Sequence, residues 1–430
     1  MPCRSYAGVI GSAFTRAAGR SLLAALLIAP WVAAAAPAEV SLQEAIRRAT
    51  QHTPLLEARR AAVEAAREES HRAGALPDPM LSIGIDNLPI TGRDAFDTRI
   101  DDMTMKKIGL RQEIPARAKR KAQRELAGRQ IDEAQALSES EGLTVRQAVA
   151  DAWIDLWAAQ NAASTLRALR EQAVLAAKLA KARYAAGGGS AADTLAAEAA
   201  VLELDNRIEE TRSMQAVAQA GLARWLDEPA VEVSKDIPDF TVLPASETQL
   251  LGNIERLGPL LTANAKVESS AAQVDVARAE KRLDWSVGAS YGQRSGGRDD
   301  MLMLEVGIGL PLFTRNRQDR GVAAREADYQ AMLATREDLR RQETARIRAD
   351  VARWEGLKRQ VALHEQGLLP LARDRSATAL AAYRAGGELQ PWLDARRDEL
   401  AIHLSHAEHL GELGRAWAAL AFLLPTEAQP

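Results

Sequence analysis

Tyr184-Ala185-Ala186-Gly187-Gly188-Gly189-Ser190 is the stretch whose reading decides this fold. It interrupts a run from Ala118 to Glu228 that is rich in Ala, Leu, Arg, Gln and Glu, and no proline falls between Pro115 and Pro229. Three glycines make a poor helix interior and a good turn. At 1.5 Å per residue the arm before them would reach on the order of 100 Å as one helix. Such a length points to coiled-coil or repeat architecture rather than to an ordinary globular helix. The stretch reads as the turn of a long helical hairpin, about 116–228.

The same plan restarts later in the chain. Pro259-Leu260-Leu261 echoes Pro54-Leu55-Leu56, and Asp299-Asp300-Met301-Leu302-Met303 echoes Asp101-Asp102-Met103-Thr104-Met105. Leu310-Pro311 echoes Ile114-Pro115, and Tyr383-Arg384-Ala385-Gly386-Gly387 echoes the first turn. Every offset is roughly 200 residues, which marks an internal duplication. A first repeat covers 39–250 and ends in a connector at 229–250, whose stretch from Pro229 to Glu247 is proline-interrupted, shows no helical period and reads as lying across the helices. A second repeat covers 251–430, with its hairpin at about 314–424. Ser41-Leu42-Gln43-Glu44 has the form of a capping box and opens a helix broken at Pro54.

Between first helix and hairpin, each repeat carries a strand pair. Leu81, Ile83 and Ile85 alternate with Ser82 and Gly84 in a strand at about 80–86; Ile108, Leu110 and Ile114 alternate with Lys107, Gly109, Arg111 and Glu113 at about 104–114. Trp285, Val287, Ala289 and Tyr291 alternate with Ser286, Gly288 and Ser290 at about 285–292. Leu302 to Leu310 alternate with Met303, Glu305, Gly307 and Gly309 at about 301–311. Apolar on one face and small or charged on the other is the pattern of a membrane barrel wall. Four strands cannot close a barrel, and open edges in lipid leave backbone groups unpaired. Several chains must share one barrel.

Composition bounds the rest. The 430 residues carry a formal charge of −3, so there is no basic field for nucleic acid. Cys3 is the only cysteine, which excludes disulfide, zinc-cysteine and thiol-nucleophile chemistry. Residues 1–38 read as a cleaved export signal: Arg4, Arg16 and Arg20, an apolar core at Leu22 to Val32, then Ala36-Pro37-Ala38. Cys3 precedes that core, so no lipid-anchor cysteine is expected. No apolar run is long enough for a transmembrane helix. No Gly-x-x-x-x-Gly-Lys loop occurs, so energy must come from elsewhere, and no enzyme activity or cofactor is expected.

Two copies of helix, strand pair and hairpin, each with a Tyr-x-x-Gly turn, resemble the outer-membrane efflux protein (TolC-like) family over essentially the whole mature chain. Ala75-Leu76-Pro77-Asp78-Pro79-Met80, Asp86-Asn87-Leu88-Pro89, Asp102-Met103-Thr104-Met105 and Gln112-Glu113-Ile114-Pro115 are most similar to its heavy-metal-efflux, CzcC/CusC-type branch. The resemblance implies a mainly α fold with a membrane β-barrel portion. It implies a homotrimer whose twelve-stranded barrel, four strands per chain, stands in outer-membrane lipid above a periplasmic α-helical barrel. It also implies a periplasmic adaptor protein and an inner-membrane proton-driven pump as partners. The function so implied is a passive exit duct, favoured for heavy-metal cations, with drug efflux or type I protein secretion as the alternative. A periplasmic adaptor protein also carries a long hairpin, but two hairpins with two membrane-type strand pairs disfavour it; the alternating strands disfavour a plain periplasmic coiled coil.

The resemblance makes the two turns the periplasmic mouth and adaptor-docking surface: Tyr184, Gly187, Gly188, Tyr383, Gly386 and Gly387. Simple helix termination is the other reading of these glycines. In the family an aspartate at the position of Asp193 bonds the tyrosine at Tyr383 on a neighbouring protomer. The family's arginine is Glu388 here, and its paired aspartates fall on Trp392 and Ala395, with Asp394 between them, so those gate bonds are not all available.

Candidate metal contacts come from the residues themselves. Strand parity puts Met103, Met105, Met301 and Met303 on the face of Arg111, Glu113 and Glu305, where thioethers would suit Cu(I) or simply fill space. His403, His406 and His409 follow one another at three-residue steps near Glu408 and Glu412, readable as metal ligands or as an interhelical row; His52, His71 and His364 look isolated. Arg117, Lys119, Arg120 and Lys121, with Arg315 and Arg317, read as a periplasmic rim or as helix-surface charge. Trp285 and Tyr291 suit an interfacial aromatic belt.

Overall fold

The computed structural model describes residues 39–229, 231–295 and 297–425. The expected signal segment at 1–38 lies outside the described residues. The first elements are β1 (Glu39–Val40), α1 (Leu42–His52) and α2 (Pro54–Arg72). Ser41 caps α1 by accepting from Glu44 N at 3.3 Å, and Pro54 begins α2 where no N–H is needed. Then come β2 (Met80–Asp86), β3 (Met105–Ile114), α3 (Arg117–Ala185) and α4 (Ala191–Leu226). The connector contributes β4 (Glu232–Val233) and α5 (Glu247–Gly252). The second round is α6 (Gly258–Ala279), β5 (Asp284–Arg294), β6 (Met301–Gly309) and α7 (Gln318–Leu363). A π turn (His364–Leu368) joins α7 to α8 (Leu369–Arg384), and α9 (Gln390–Ala421) closes the hairpin.

The four long strands form one antiparallel sheet in the order β2-β3-β5-β6. Its register puts Leu110 opposite Ala289 and Ala289 opposite Leu304, with Arg111, Gly288 and Glu305 aligned on the other face. Exposure runs opposite to that of a water-soluble sheet. Ile83 is 76% exposed and Leu304 78%, while Gly109 and Gly292 of the other face are buried. Side chains crowd on that second face: a Cβ added to Gly109 would stand 2.9 Å from both Ser290 Cβ and Ser82 Oγ. At the foot of the sheet, Asp284 accepts from Ala116 N at 2.8 Å and from Lys119 Nζ at 2.6 Å, tying β5 to the start of α3.

At 69 residues α3 is about 100 Å long. Much of its buried seam is alanine, including Ala122, Ala159, Ala163, Ala173 and Ala180, which lets neighbouring helices come close. The bulky core lies midway. Trp153, Ile154, Leu156, Trp354, Trp417 and Phe240 gather there with β1 and β4, which pair in parallel. Sequence reading left the connector without secondary structure, and a two-residue strand offers no periodic signal. Phe240, 4% exposed, meets Trp157 and Trp417 with ring centroids 5.7 and 5.5 Å away. Phe240→Ala should therefore cost about 3–5 kcal/mol, read as a lowered melting midpoint in detergent. Leu202→Ala, at a position 69% exposed, should stay within about 0.5 kcal/mol.

Candidate conduit wall and hairpin tips

The wall is built by alternation. Leu81, Ile83, Ile108, Leu110, Val287, Leu302, Leu304 and Val306 stand on one face; Ser82, Gly84, Lys107, Gly109, Arg111, Ser286, Ser290 and Glu305 stand on the other. Arg111 and Glu305 are ion-paired across β5, over Gly288, which leaves room for them. The apolar face would suit lipid, and the opposite face water. Trp285 and Tyr291 lie on the apolar face, 47% and 45% exposed, with Tyr291 bonded to Asp300.

Register places Met105, Met301 and Met303 on the small and charged face, where Met105 and Met303 meet over Gly292: a Cβ there would stand 3.2 Å from Met105 Sδ and 3.6 Å from Met303 Cε. Met103 does not join them. It sits in a turn ahead of β3, 61% exposed, with its N–H donated to Asp101 Oδ1. Strand parity does not extend into a turn, and that is why the sequence reading misplaced it. Of the rim cations, Lys119 is held by Asp284, while Arg117, Lys121, Arg315 and Arg317 are exposed.

Each hairpin tip is a helix end closed by glycine. Gly187 has φ +71° and Gly386 φ +104°, the left-handed conformation that ends a helix at low cost. Gly188 N donates to Arg183 O at 2.9 Å and Gly387 N to Ala382 O at 3.0 Å. Asp193 completes a capping box: its N–H donates to Ser190 Oγ at 3.0 Å and its carboxylate accepts from Ser190 N at 3.3 Å. Tyr383 is 3% exposed among Ala176, Ala180, Ala197, Leu389 and Trp392, whereas Tyr184 is 51% exposed. Within the chain, Asp193 is engaged by Ser190 and the Tyr383 ring by this small core. Trp392 and Ala395 are 4% and 2% exposed, so charged side chains there would face this chain's own interior. Asp394 accepts from Gln390 at 3.0 Å, and Glu388 is exposed.

Sequence reasoning missed Arg183. Its guanidinium stands 4.3 Å over the Tyr383 ring, donates to Tyr383 O at 2.7 Å and to Gly188 O at 3.2 Å. One side chain thus joins both turns. The signal was faint, an arginine directly before the turn tyrosine in one repeat and directly after it in the other.

The histidines divide differently from the sequence row. His403 faces Glu399 at 3.9 Å, and burial lowers its pKa below the ordinary 6.5. His406 and His409 turn instead to His364, with ring centroids 5.9 and 5.1 Å from it. His364 is therefore not isolated; the alignment of α7 with α9 creates a contact that local sequence does not show. Among the described residues, no three His, Cys, Asp or Glu side chains are placed to hold a metal ion.

The structure thus joins a sheet with one exposed apolar face to long helical hairpins. Among the described residues no helix is long and apolar enough to cross a membrane. A family model described as outer membrane efflux protein matches residues 45–227 and 256–425, more than half of the chain. The chain belongs to the outer membrane efflux protein family. No curated protein matches it in sequence. In fold it is similar to the outer membrane protein VceC of Vibrio cholerae, at 20% identity and TM-score 0.72, over 90% of this chain and 97% of that one. CusC is similar at 14% identity and TM-score 0.76, over 89% and 92%. The CmeC outer membrane channel of Campylobacter jejuni is similar at 14% and 0.74, over 90% and 87%.

Removing the Arg183 fork should free both turns. In Arg183→Ala, amide hydrogen exchange at 183–190 and 383–388 should quicken by about tenfold, the loss of one charge-assisted hydrogen bond. Arg183→Lys should recover only part of it, because one ammonium does not reproduce the planar fork.

Proposed function

We propose that this chain is the outer-membrane duct of a tripartite efflux system, working as a homotrimer and carrying heavy-metal cations. The observation that supports it most is the sheet: an exposed apolar face, with edge strands β2 and β6 each paired on one side only. In lipid those edges need partners, and three copies laid edge to edge would make one closed wall of twelve strands. The crowded glycine and serine face would then line water. Residues 1–38 would direct export, with Arg111, Lys107 and Glu305 among the side chains the cargo passes. The hairpin tips, with Tyr184 and Glu388 exposed, would meet a periplasmic adaptor, and an inner-membrane proton-driven pump would supply the energy.

Metal cargo is supported by the resemblance of the strand segments to the CzcC/CusC-type branch and by the thioethers of Met105, Met301 and Met303 on the inner face. The decisive experiment is a deletion strain scored for tolerance to copper, zinc, cobalt and cadmium salts and to a panel of drugs. Metal tolerance should fall at least severalfold and return with the gene. Unchanged metal tolerance with lowered drug tolerance would move the cargo to small organic molecules. The duct itself is tested separately: a detergent-purified protein running as a monomer, or one soluble without detergent, would remove the trimer and the barrel together.

A further inference from the structure

The second hairpin contains a group of side chains that the duct reading does not use. After Leu363, α7 widens into the π turn His364–Leu368 before Pro370 opens α8. Proline has no N–H to donate and crowds the preceding turn, so a widened turn ahead of it is a physical consequence of that residue. The turn directs His364, 8% exposed, toward α9. There its ring lies 5.1 Å from that of His409 and 5.9 Å from that of His406, at interplanar angles of 47° and 30°.

Polar accounting in this group is incomplete. His364 Nδ1 and His406 Nε2 are both buried without a hydrogen-bond partner. Glu365 Oε1 stands 3.4 Å from His406 Nε2, within ion-pair range though not in hydrogen-bond geometry. His409 Nδ1 meets Ser405 Oγ at 3.3 Å, and His364 has a backbone contact with Ile402. From α9 the charged or titratable groups facing His364 are His406 and His409; from its own turn it has Glu365 nearby. Arg373 of α8 and Arg396 and Glu399 of α9 act on His403, farther along. The carboxylate of Glu365 thus stands beside His406, while His364 meets two imidazoles and keeps one buried ring nitrogen without a partner. That packing suits a neutral His364 and opposes a charged one.

We propose that His364, packed against His406 and His409, is a pH-sensitive hinge: its neutral ring holds α9 against the π turn, and its protonation at mildly acidic pH loosens the second hairpin there. The direction follows from the surroundings. Burial, followed by the neighbouring His409 and His406, lowers the His364 pKa below its ordinary 6.5. The folded state thus binds fewer protons here than the unfolded one. Its stability is fully present above about pH 6.5, declines as pH falls below that, and levels off once the lowered folded value is passed. The inference holds whatever the duct carries, because it rests on side chains between two helices and not on cargo.

Hydrogen exchange on the full-length protein in detergent tests it, read at 360–370 and 402–410 with 145–157 as an internal reference. At pH 7.5, wild type and His364→Phe should agree within about twofold. At pH 5.5, wild type should exchange on the order of tenfold faster than His364→Phe at both segments, while the reference stays level. The same wild-type-to-variant ratio at both pH values would overturn the hinge. Should His364→Phe fail to fold, His409→Phe serves, and a wild-type ratio of hinge to reference exchange unchanged between pH 7.5 and 5.5 overturns the proposal by itself.

Discussion

The connector between the two repeats is held by indole N–H groups, and the arrangement of the helices depends on that attachment. Trp354 donates to Phe240 O and Trp417 to Val242 O, each at 2.8 Å, while Trp153 donates to Val40 O at the same distance. Trp354 and Trp417 come from α7 and α9 of the second hairpin, while Trp153 of α3 bonds β1, which pairs with the connector's β4, so the two hairpins reach the connector by different routes. Lys358 adds a bond to Thr241 O at 2.9 Å. Buried backbone carbonyls need donors, and tryptophan supplies one together with a large apolar surface. Elsewhere much of the buried seam of α3 is alanine, which permits close approach but buries little area per residue. The register of one hairpin against the other is therefore set mainly at this level and confirmed at the tip by Arg183.

The sheet obeys a different rule, one that would suit a different solvent. Its large apolar side chains are exposed on one face, and the other face is kept small by glycine and serine. Asp284 joins this region to the helices through Ala116 and Lys119, with a second carboxylate, Glu280, 3.6 Å from Lys119. One end of the chain is thus stabilised by apolar surface turned outward and the middle by apolar surface turned inward. The two regimes meet within a few residues of Pro115.

Those regimes also decide what the sequence revealed. Period-two alternation is legible because the two faces of β5 and β6 meet different surroundings, and the hairpin turns are legible because Gly187 and Gly386 need positive φ. The mainly helical character followed from the long proline-free runs. What stayed hidden depends on the register of distant segments. Arg183 reaches Tyr383 only because the two turns end at one height, and His364 reaches His409 only through the phase of α7 on α9. Met103 was assigned to a face by counting back through residues that turn rather than extend. The core around Tyr383 and Trp392 shows why positions 392 and 395 are apolar in this chain: its own helices cover them.

The short parallel pairing of Glu39–Val40 with Glu232–Val233 has a bearing on how the chain assembles. Val40 O receives both Trp153 Nε1 and Ser234 N, at 2.8 and 3.1 Å, so the earliest described residues are completed by others made nearly two hundred positions later. A polypeptide delivered from its amino end must leave β1 unpaired until the whole first hairpin has emerged. Closing so distant a contact is slow compared with winding a helix. The long arms should consequently wind early and wait, and the first half should set only when its last strand arrives, an order that leaves alanine-rich surfaces uncovered in the interim.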